Sequence, residues 1–599
     1  MAQRTPSRRL WLIAAPALSL SLVLAGCAVT ATTPADSTGT VTVEETATTS
    51  QLTGATDATQ TAADVLAADQ ETHDAGDDAE YSADDATTID LSGSSAAVTG
   101  DGAETGDGTV RITAPGTYIL SGDYTGQVIV ASDAEGAVRL VLDGVDISTD
   151  AGAAIDIQAA DEAIVVLADG SSNTLSDAAS YADDASANAA LYSAADLTLT
   201  GTGALSVTGN GNDGIAAADG LVIQSGTVTV DAADDGIRGK DYLVIRGGEI
   251  TVTAGGDGLK SDNEEAAERG YVAISGGTID ITSGDEGIDA FTDVVLTGGA
   301  VTITAGGGAD GDPDDGAKGV SAGVIAVFEG GSLAVDAADD AVNTNAYAHL
   351  AGATVDLRSG DDGVHSELQL VISAGTNTIA EAVEGLEAGQ ITVTGGDTSV
   401  TSSDDGTNVA EPDEGSAEMT MLISGGTLLV NAEGDGLDVN QGALTQTGGT
   451  VVVSGPTNGG NGALDADGGV TISGGILLAA GSAGMAVAPS ADSDQASVQF
   501  TFSQTVAAGT VLTVLDASGT ALASFTTDKA TQSLAYSESA LVNGESYTLV
   551  SGGSAGAAVV GGLTAPGTAG STTVATAVAG AQTSSEMGPG GMGGGGPRP

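Results

Sequence analysis

The stretch SGGTIDITSGDEGIDAFTDVVLT, running from Ser275 to Thr297, decides the fold because its phrasing returns along the chain. It reappears as SGTVTVDAADDGIRGKDYLVIR from Ser225 to Arg246 and as AGATVDLRSGDDGVHSELQLVIS from Ala351 to Ser373. Aligned copies start at Gln224, Arg246, Ser275, Thr297, Glu329, Ala351, Ser373, Thr394, Ser424, Gln446 and Ser473. The spacings are 22, 29, 22, 32, 22, 22, 21, 30, 22 and 27 residues. The base period is therefore 22 residues, lengthened in some copies by insertions, which is how a solenoid accommodates loops.

Each copy holds three short apolar pieces. Ile250 and Val252 alternate with Thr251, Leu259 stands alone after Asp257-Gly258, and Val272 and Ile274 flank Ala273. Period-two alternation bounded by Gly-Gly and Asp-Gly reads as strands. A single coil cannot bury its inward face, but stacked coils share a core and pair each strand with the copies above and below. The expectation is an all-β fold: a right-handed parallel β-helix, three strands and about 22 residues per coil, with a C-terminal antiparallel β cap. At about 4.8 Å per coil the copies would stack to roughly 50 Å.

Composition agrees with narrow coils: glycine is abundant (91 residues) and aromatics are only 3%. The formal charge of -68 makes nucleic acid and anionic membrane surfaces poor partners and a cation a natural one. A single cysteine excludes an internal disulfide. His73, His349 and His365 lie too far apart in sequence to suggest a zinc cluster.

Residues 1–27 read as a lipoprotein signal peptide. Arg4, Arg8 and Arg9 precede an apolar run from Leu10 to Leu24, and Leu24-Ala25-Gly26-Cys27 resembles a lipobox with lipid attached to Cys27. Export by the general or the twin-arginine route stays open. Residues 28–63, rich in Ala, Thr and Asp, are expected to be a disordered tether, with a short helix from Ala62 to Glu71. Residues 64–200 read as an N-terminal cap and irregular coils, 201–480 as regular repeats, 481–552 as a C-terminal β cap and 553–599 as a disordered Gly-rich tail.

An ordered set of motifs carries a family resemblance. GTYILSG from Gly116, VRLVLDGVDI from Val138, LADGSSNTLSD from Leu167, NAALYSAADLTLTGTGALSV from Asn188, NDGI from Asn212, DDGIRGKD from Asp234 and GDGLKSDN from Gly256 follow one another. From about Asp64 to Gly552 the chain resembles the calcium-binding carbohydrate-binding domain family of bacterial secreted lipoproteins. That resemblance implies a parallel β-helix similar to polysaccharide lyases, bound calcium, and binding of cellulose or polygalacturonate-type polymers without established catalysis.

The alignment itself places an acid at one position of nine successive copies: Asp235, Asp257, Glu286, Asp315, Asp340, Asp362, Glu384, Asp405 and Asp435. Asp234, Asp285, Asp314, Asp339, Asp361 and Asp404 stand just before it. Asp-Gly suits a turn because it tolerates left-handed backbone, but a turn alone does not explain the doubled charge. Like charges about 4.8 Å apart repel by about 0.9 kcal/mol in water and about 3.5 kcal/mol at an effective dielectric of 20. A hard divalent cation would remove that cost, and calcium accepts six to eight oxygens in loose geometry. The candidate calcium ligands are Asp234, Asp235, Asp257, Asp285, Glu286, Asp289, Asp314, Asp315, Asp361 and Asp362; a solvated acidic edge is the alternative.

Three residues beyond each acid lies a second column, Arg238, Lys260, Asp289, Lys318, Asn343, His365, Glu387, Asn408 and Asp438. Arg238, Lys240, Lys260 and Lys318 are candidate uronate-binding residues; simple pairing with adjacent acids is the competing reading. No catalytic residue is assigned, although Lys240 or Lys260 would be the base of an uronate lyase. Acidic surroundings raise a lysine pKa, which argues against that role. A polysaccharide-binding, lipid-anchored protein on the extracellular face of the membrane is the leading expectation. A calcium-dependent lyase and a structural adhesin remain the alternatives.

Overall fold

The computed structural model describes residues 57–182, 185–412 and 418–581. Within them the chain is all-β, built of parallel strands in stacked sheets. The regular repeats carry three strands each, as the alternation predicted. One copy runs through Glu249–Ala254, Leu259–Ser261 and Tyr271–Ile274. Each pairs in parallel with its counterpart one copy on, so Ile250 faces Ile279, Leu259 faces Ile288 and Val272 faces Val294. Among the described residues the first and third strands of all copies join a 30-stranded sheet, while the short second strands form a 16-stranded sheet.

Register places like on like. Val228, Ile250, Ile279, Val301, Leu333 and Val355 form one interior ladder, and Ile237, Leu259, Ile288, Val320, Val342, Val364 and Leu386 another. All are 2% exposed or less. At roughly 1.5–3 kcal/mol per buried aliphatic side chain, these ladders are the main favourable term of the stack.

At both ends of the parallel run the large sheet takes on antiparallel strands. Thr87–Gly93 pairs with Ser95–Thr99 at the start. At the far end Ile476–Gly481 pairs antiparallel with Thr531–Ser537. The C-terminal cap is larger than expected. Residues 553–581, read as part of a disordered tail, contribute strands Ala558–Val560, Leu563–Thr564 and Thr572–Val578 to a 6-stranded antiparallel sheet. Thr572–Val578 pairs with Ser546–Ser551, so backbone pairing overrides a Gly/Ala/Thr composition.

The N-terminal segment also departs from expectation. Residues 57–85 contribute no strand and lie along the outside of the stack, running against the stacking order. Ala58 N–H donates to Gln369 Oε1 at 3.3 Å, Ala62 N–H to Glu329 Oε2 at 3.1 Å, and His349 Nδ1 lies 2.8 Å from Gln60 O. Farther along, Tyr271 donates its hydroxyl to Gln70 O at 2.8 Å, Arg246 pairs with Asp74 at 2.6 Å, and Arg139 Nε donates to Asp78 O at 3.0 Å. The expected helix is only Ala62–Leu66, started by a capping box between Thr61 and Asp64. The segment covers the outer faces of Gly220–Ile223, Tyr242–Ile245, Tyr271–Ile274, Asp293–Leu296 and Ile325–Phe328. Residues 57–63, expected to belong to a free tether, are therefore seated on the stack. The signal segment and Cys27 lie outside the described residues.

Candidate functional site

From Ile237 to Val409 the 16-stranded sheet is built of strands only three residues long. Each buries its two end residues and turns the middle one outward, half-exposed, as in Ile237–Gly239, Leu259–Ser261, Ile288–Ala290 and Val364–Ser366. The middle residues pair level by level in one ladder: Asp156, Tyr192, Ala216, Arg238, Lys260, Asp289, Ser321, Asn343, His365, Glu387, Asn408, Asp438 and Asp465. The second sequence column is thus one face of one sheet, with a correction at one place. Ser321, not Lys318, occupies the level between Asp289 and Asn343.

The acid column borders this ladder at a corner, and backbone pairing fixes its members. Gly214 N–H donates to Asp235 O, Gly236 to Asp257 O, Gly258 to Glu286 O, Gly287 to Lys318 O and Gly319 to Asp340 O. The series continues from Ala341 to Asp362 O, Gly363 to Glu384 O, Gly385 to Asp405 O and Gly406 to Asp435 O. Lys318 therefore stands within the acid column itself. Asp314 and Asp315 belong instead to a 3-10 turn, Pro313–Asp315, inside the insertion of that copy. The insertion shifted the sequence alignment by three residues and misplaced both columns there.

The expected left-handed Asp-Gly turn is also corrected. Neither the acids nor Gly236, Gly258 and Gly287 have positive φ. These glycines answer to space: a Cβ on Gly258 would lie 2.3 Å from Ile281 Cγ2 and 2.6 Å from Gly287 O. The aspartates cap the next level. Asp235 Oδ1 accepts from Asp257 N–H at 3.0 Å and Asp257 Oδ1 from Glu286 N–H at 3.0 Å. Asp340 Oδ1 accepts from Asp362 N–H at 3.1 Å and Asp405 Oδ1 from Asp435 N–H at 2.6 Å. An acceptor-only carboxylate suits this bond, which satisfies a donor that the corner would otherwise strand.

The basic residues expected to face a ligand are engaged with acids. Lys260 Nζ lies 2.5 Å from Asp257 Oδ2 and 3.4 Å from Asp235 Oδ2. Arg238 holds Asp262 at 2.7 Å and reaches Asp213 at 3.8 Å. Lys318 pairs with Asp339 and donates to Gly316 O at 3.2 Å. Lys240, just past the strand Ile237–Gly239, makes no ion pair among the described residues.

Three groups bring a ligand atom from each member within 4.8 Å of the others: Asp257, Asp285 and Glu286; Asp339, Asp340 and Asp361; and Asp362, His365 and Glu387. The first two offer oxygen alone, the donor set of a hard cation such as calcium. The third is an ion-pair cluster. Burial works against a charged imidazole, but the Asp362 hydrogen bond and the charges of Asp340, Asp362 and Glu387 outweigh it and raise His365 to about 9.

Burial also pushes the carboxyls up, to about 7 for Asp213, about 6 for Asp289, about 6 for Asp362 and about 7 for Asp405. Burial, then Asp257 and Asp285, raise Glu286 as well. Lys260 feels the opposite balance. Burial alone would lower it, yet Asp257, Asp235 and Asp289 hold its ammonium above the usual lysine range. Sequence reading missed Asp213, one level before Asp235 in the acid column, and Asp156 and Tyr192, the ladder levels before Ala216, because those copies depart from the 22-residue beat.

Comparison with known proteins bears on the same levels. A protein of Acetivibrio thermocellus described as a carbohydrate-binding domain-containing protein is 41% identical over 76 residues, 12% of this chain. The matched segment spans 27% of that relative's own length. A solved structure, the polysaccharide lyase-like protein from C. thermocellum as a gadolinium derivative, is 38% identical. It covers 37% of this chain and 92% of its own, with a TM-score of 0.36. Residues 106–363, which include the strands from Asp156 to Asn343, match the family model of the carbohydrate-binding domain-containing proteins, the family that the motifs resemble.

Proposed function

We propose that this chain is a cell-surface lipoprotein, anchored through lipid at Cys27 on the extracellular face, that binds acidic, uronate-type polysaccharide along a right-handed parallel β-helix loaded with calcium. The observation that carries the reading is the outward ladder of the 16-stranded sheet. It sets one polar side chain at every level from Arg238 to Asp465, at about 4.8 Å steps, and among the described residues no segment is laid along it as residues 57–85 are laid over the large sheet. A linear polymer is the ligand whose own repeat suits such a row.

Asp257, Asp285 and Glu286, and Asp339, Asp340 and Asp361, would hold the cation, with Lys260 and Lys318 already neutralising part of each group. Bound calcium supplies positive charge between protein and sugar carboxylates. Arg238 and Lys260 sit on adjacent levels, each paired with its own acids, and offer further charged donors to a uronate. Binding is favoured over lyase chemistry because the acids around Lys260 keep its ammonium protonated.

A glycan array with the full chain, run in calcium and in chelator, tests the proposal. Retention of polygalacturonate and related acidic polymers in calcium only is expected. Absence of acidic glycans in both arms overturns the reading, and unsaturated product absorbing in the ultraviolet would replace it with a lyase.

A further inference from the structure

The early part of the ladder, where Asp156 follows Ile129 and Arg111, differs from the rest. Around Asp156 and Tyr192 the sheet face opens into a depression of about 620 Å³. Gln127, Asp156, Gln158, Tyr181 and Tyr192 line it, and alanine, glycine and serine make up the remainder. Its volume is that of a small-molecule site.

Two tyrosines that are remote from the other copies' chemistry meet at this place. Tyr192 follows Asp156 on the ladder, and Tyr181 comes from the loop after Ser172–Ser176. The Tyr181 ring is positioned from two sides: its hydroxyl donates to Asp177 Oδ2 at 2.7 Å, and its edge packs over Gly211, where a Cβ would come within 3.0 Å of the ring. Tyr192 is 8% exposed and lines the depression. Gln158 Nε2 holds Asp156 Oδ2 at 2.7 Å, and Gln127 Nε2 holds Ala153 O at 3.0 Å. Asp156, Gln127 and Gln158 thus supply hydrogen-bond acceptors among the lining residues.

Among the described residues no basic side chain lines the depression, while Asp156 lines it and Asp177 lies behind Tyr181. Arg111, two levels away on the same ladder, offsets only part of that negative charge, so a neutral ligand is favoured over an anionic one. A neutral ring with an apolar face and several hydroxyls matches both the tyrosine faces and the acceptors. We propose that this depression is a subsite for one neutral pyranose unit, distinct from the acidic-polymer stretch around Arg238 and Lys260. The inference rests on the carbohydrate-binding reading above. Four ladder steps separate Asp156 from Lys260, about 19 Å. A polymer carrying both neutral and uronate units would thus meet two chemically different stretches of one groove.

Isothermal titration of the calcium-loaded full chain with cellotetraose and xylotetraose, in parallel with tetragalacturonate, tests it. At least one neutral tetrasaccharide should bind. Tyr181→Ala should weaken that binding roughly tenfold, and Tyr192→Phe, which keeps the ring, roughly three- to tenfold. Both variants should bind tetragalacturonate as the parent does, which also shows that they are folded. If tetragalacturonate binds and neither neutral sugar does, the subsite is overturned and the acidic-polymer reading stands. Neutral binding that is unchanged in both variants overturns the subsite as well. If no sugar binds at all, both readings fall.

Discussion

Two outer faces of the same stack have been treated in opposite ways. The strands Tyr242–Ile245, Tyr271–Ile274 and Asp293–Leu296 are buried on both sides, because residues 57–85 cover their outward Tyr242, Val244, Tyr271 and Val295. The 16-stranded sheet has equally buried inward residues, yet its outward ladder is polar and half-exposed. The chain thus spends one of its own segments to cover an apolar face and leaves a charged one open. The covered face belongs to stability, and the open one is the face proposed for recognition.

The largest effect should come from the covered face. Tyr271 stacks on Tyr242 at 5.5 Å and bonds Gln70, so Tyr271→Ala should cost about 3–5 kcal/mol in denaturant unfolding. A loss below about 1 kcal/mol would mean that the cover contributes little. On the open face, Asp257→Ala strands the Glu286 N–H and releases Lys260, and should cost about 1–3 kcal/mol. Asp257→Asn, which keeps an acceptor, should recover most of that loss while still weakening calcium binding by titration.

A smaller effect tests how the cover is held. Asp69 of the covering segment meets Asp293 of the stack, and each has a buried carboxyl oxygen without a hydrogen-bond donor. Burial, then the Asp293 charge, raises Asp69; burial likewise raises Asp293, and the pair holds a proton between them. Both folded values lie above the ordinary 3.8, so the folded chain keeps a proton that the unfolded chain releases. This contribution is complete below about pH 4 and is lost as the pH rises through the folded values. Asp293→Asn should therefore flatten the fall of melting temperature between pH 5 and pH 8.5; an unchanged fall would assign it to other groups. Smallest of all, Thr251→Ala, exposed on the outer side of Glu249–Ala254, should change stability by no more than about 0.5 kcal/mol.

The repeats were legible because each copy states its strands twice, in period-two alternation and in recurrence. Ile250, Val252, Leu259, Val272 and Ile274 all fall in the core. The cover was not read, although a signal existed. YLVI at Tyr242 and DVVL at Asp293 lack alternation, which marks strands buried on both faces. The segment that buries them has no period of its own, so nothing local announces it. The acid corner was legible as a column but misread in cause. An insertion of variable length put Asp315 where Lys318 belongs, and hydrogen bonds between levels cannot be read from one copy alone. The meeting of Tyr181 with Tyr192 depends on a loop returning over the sheet, which residue spacing does not encode.

Residues 57–85 reach their partners in reverse order, from Gln369 and Glu329 back to Arg139. The Asp78 end of this segment can dock once Arg139 is made, whereas its Ala58 end waits for a partner 311 positions later. Stacking can advance vectorially, level on level, with the cover closing from its Asp78 end toward its Ala58 end. Maturation should accordingly finish with a slow, long-range latch at Gln369.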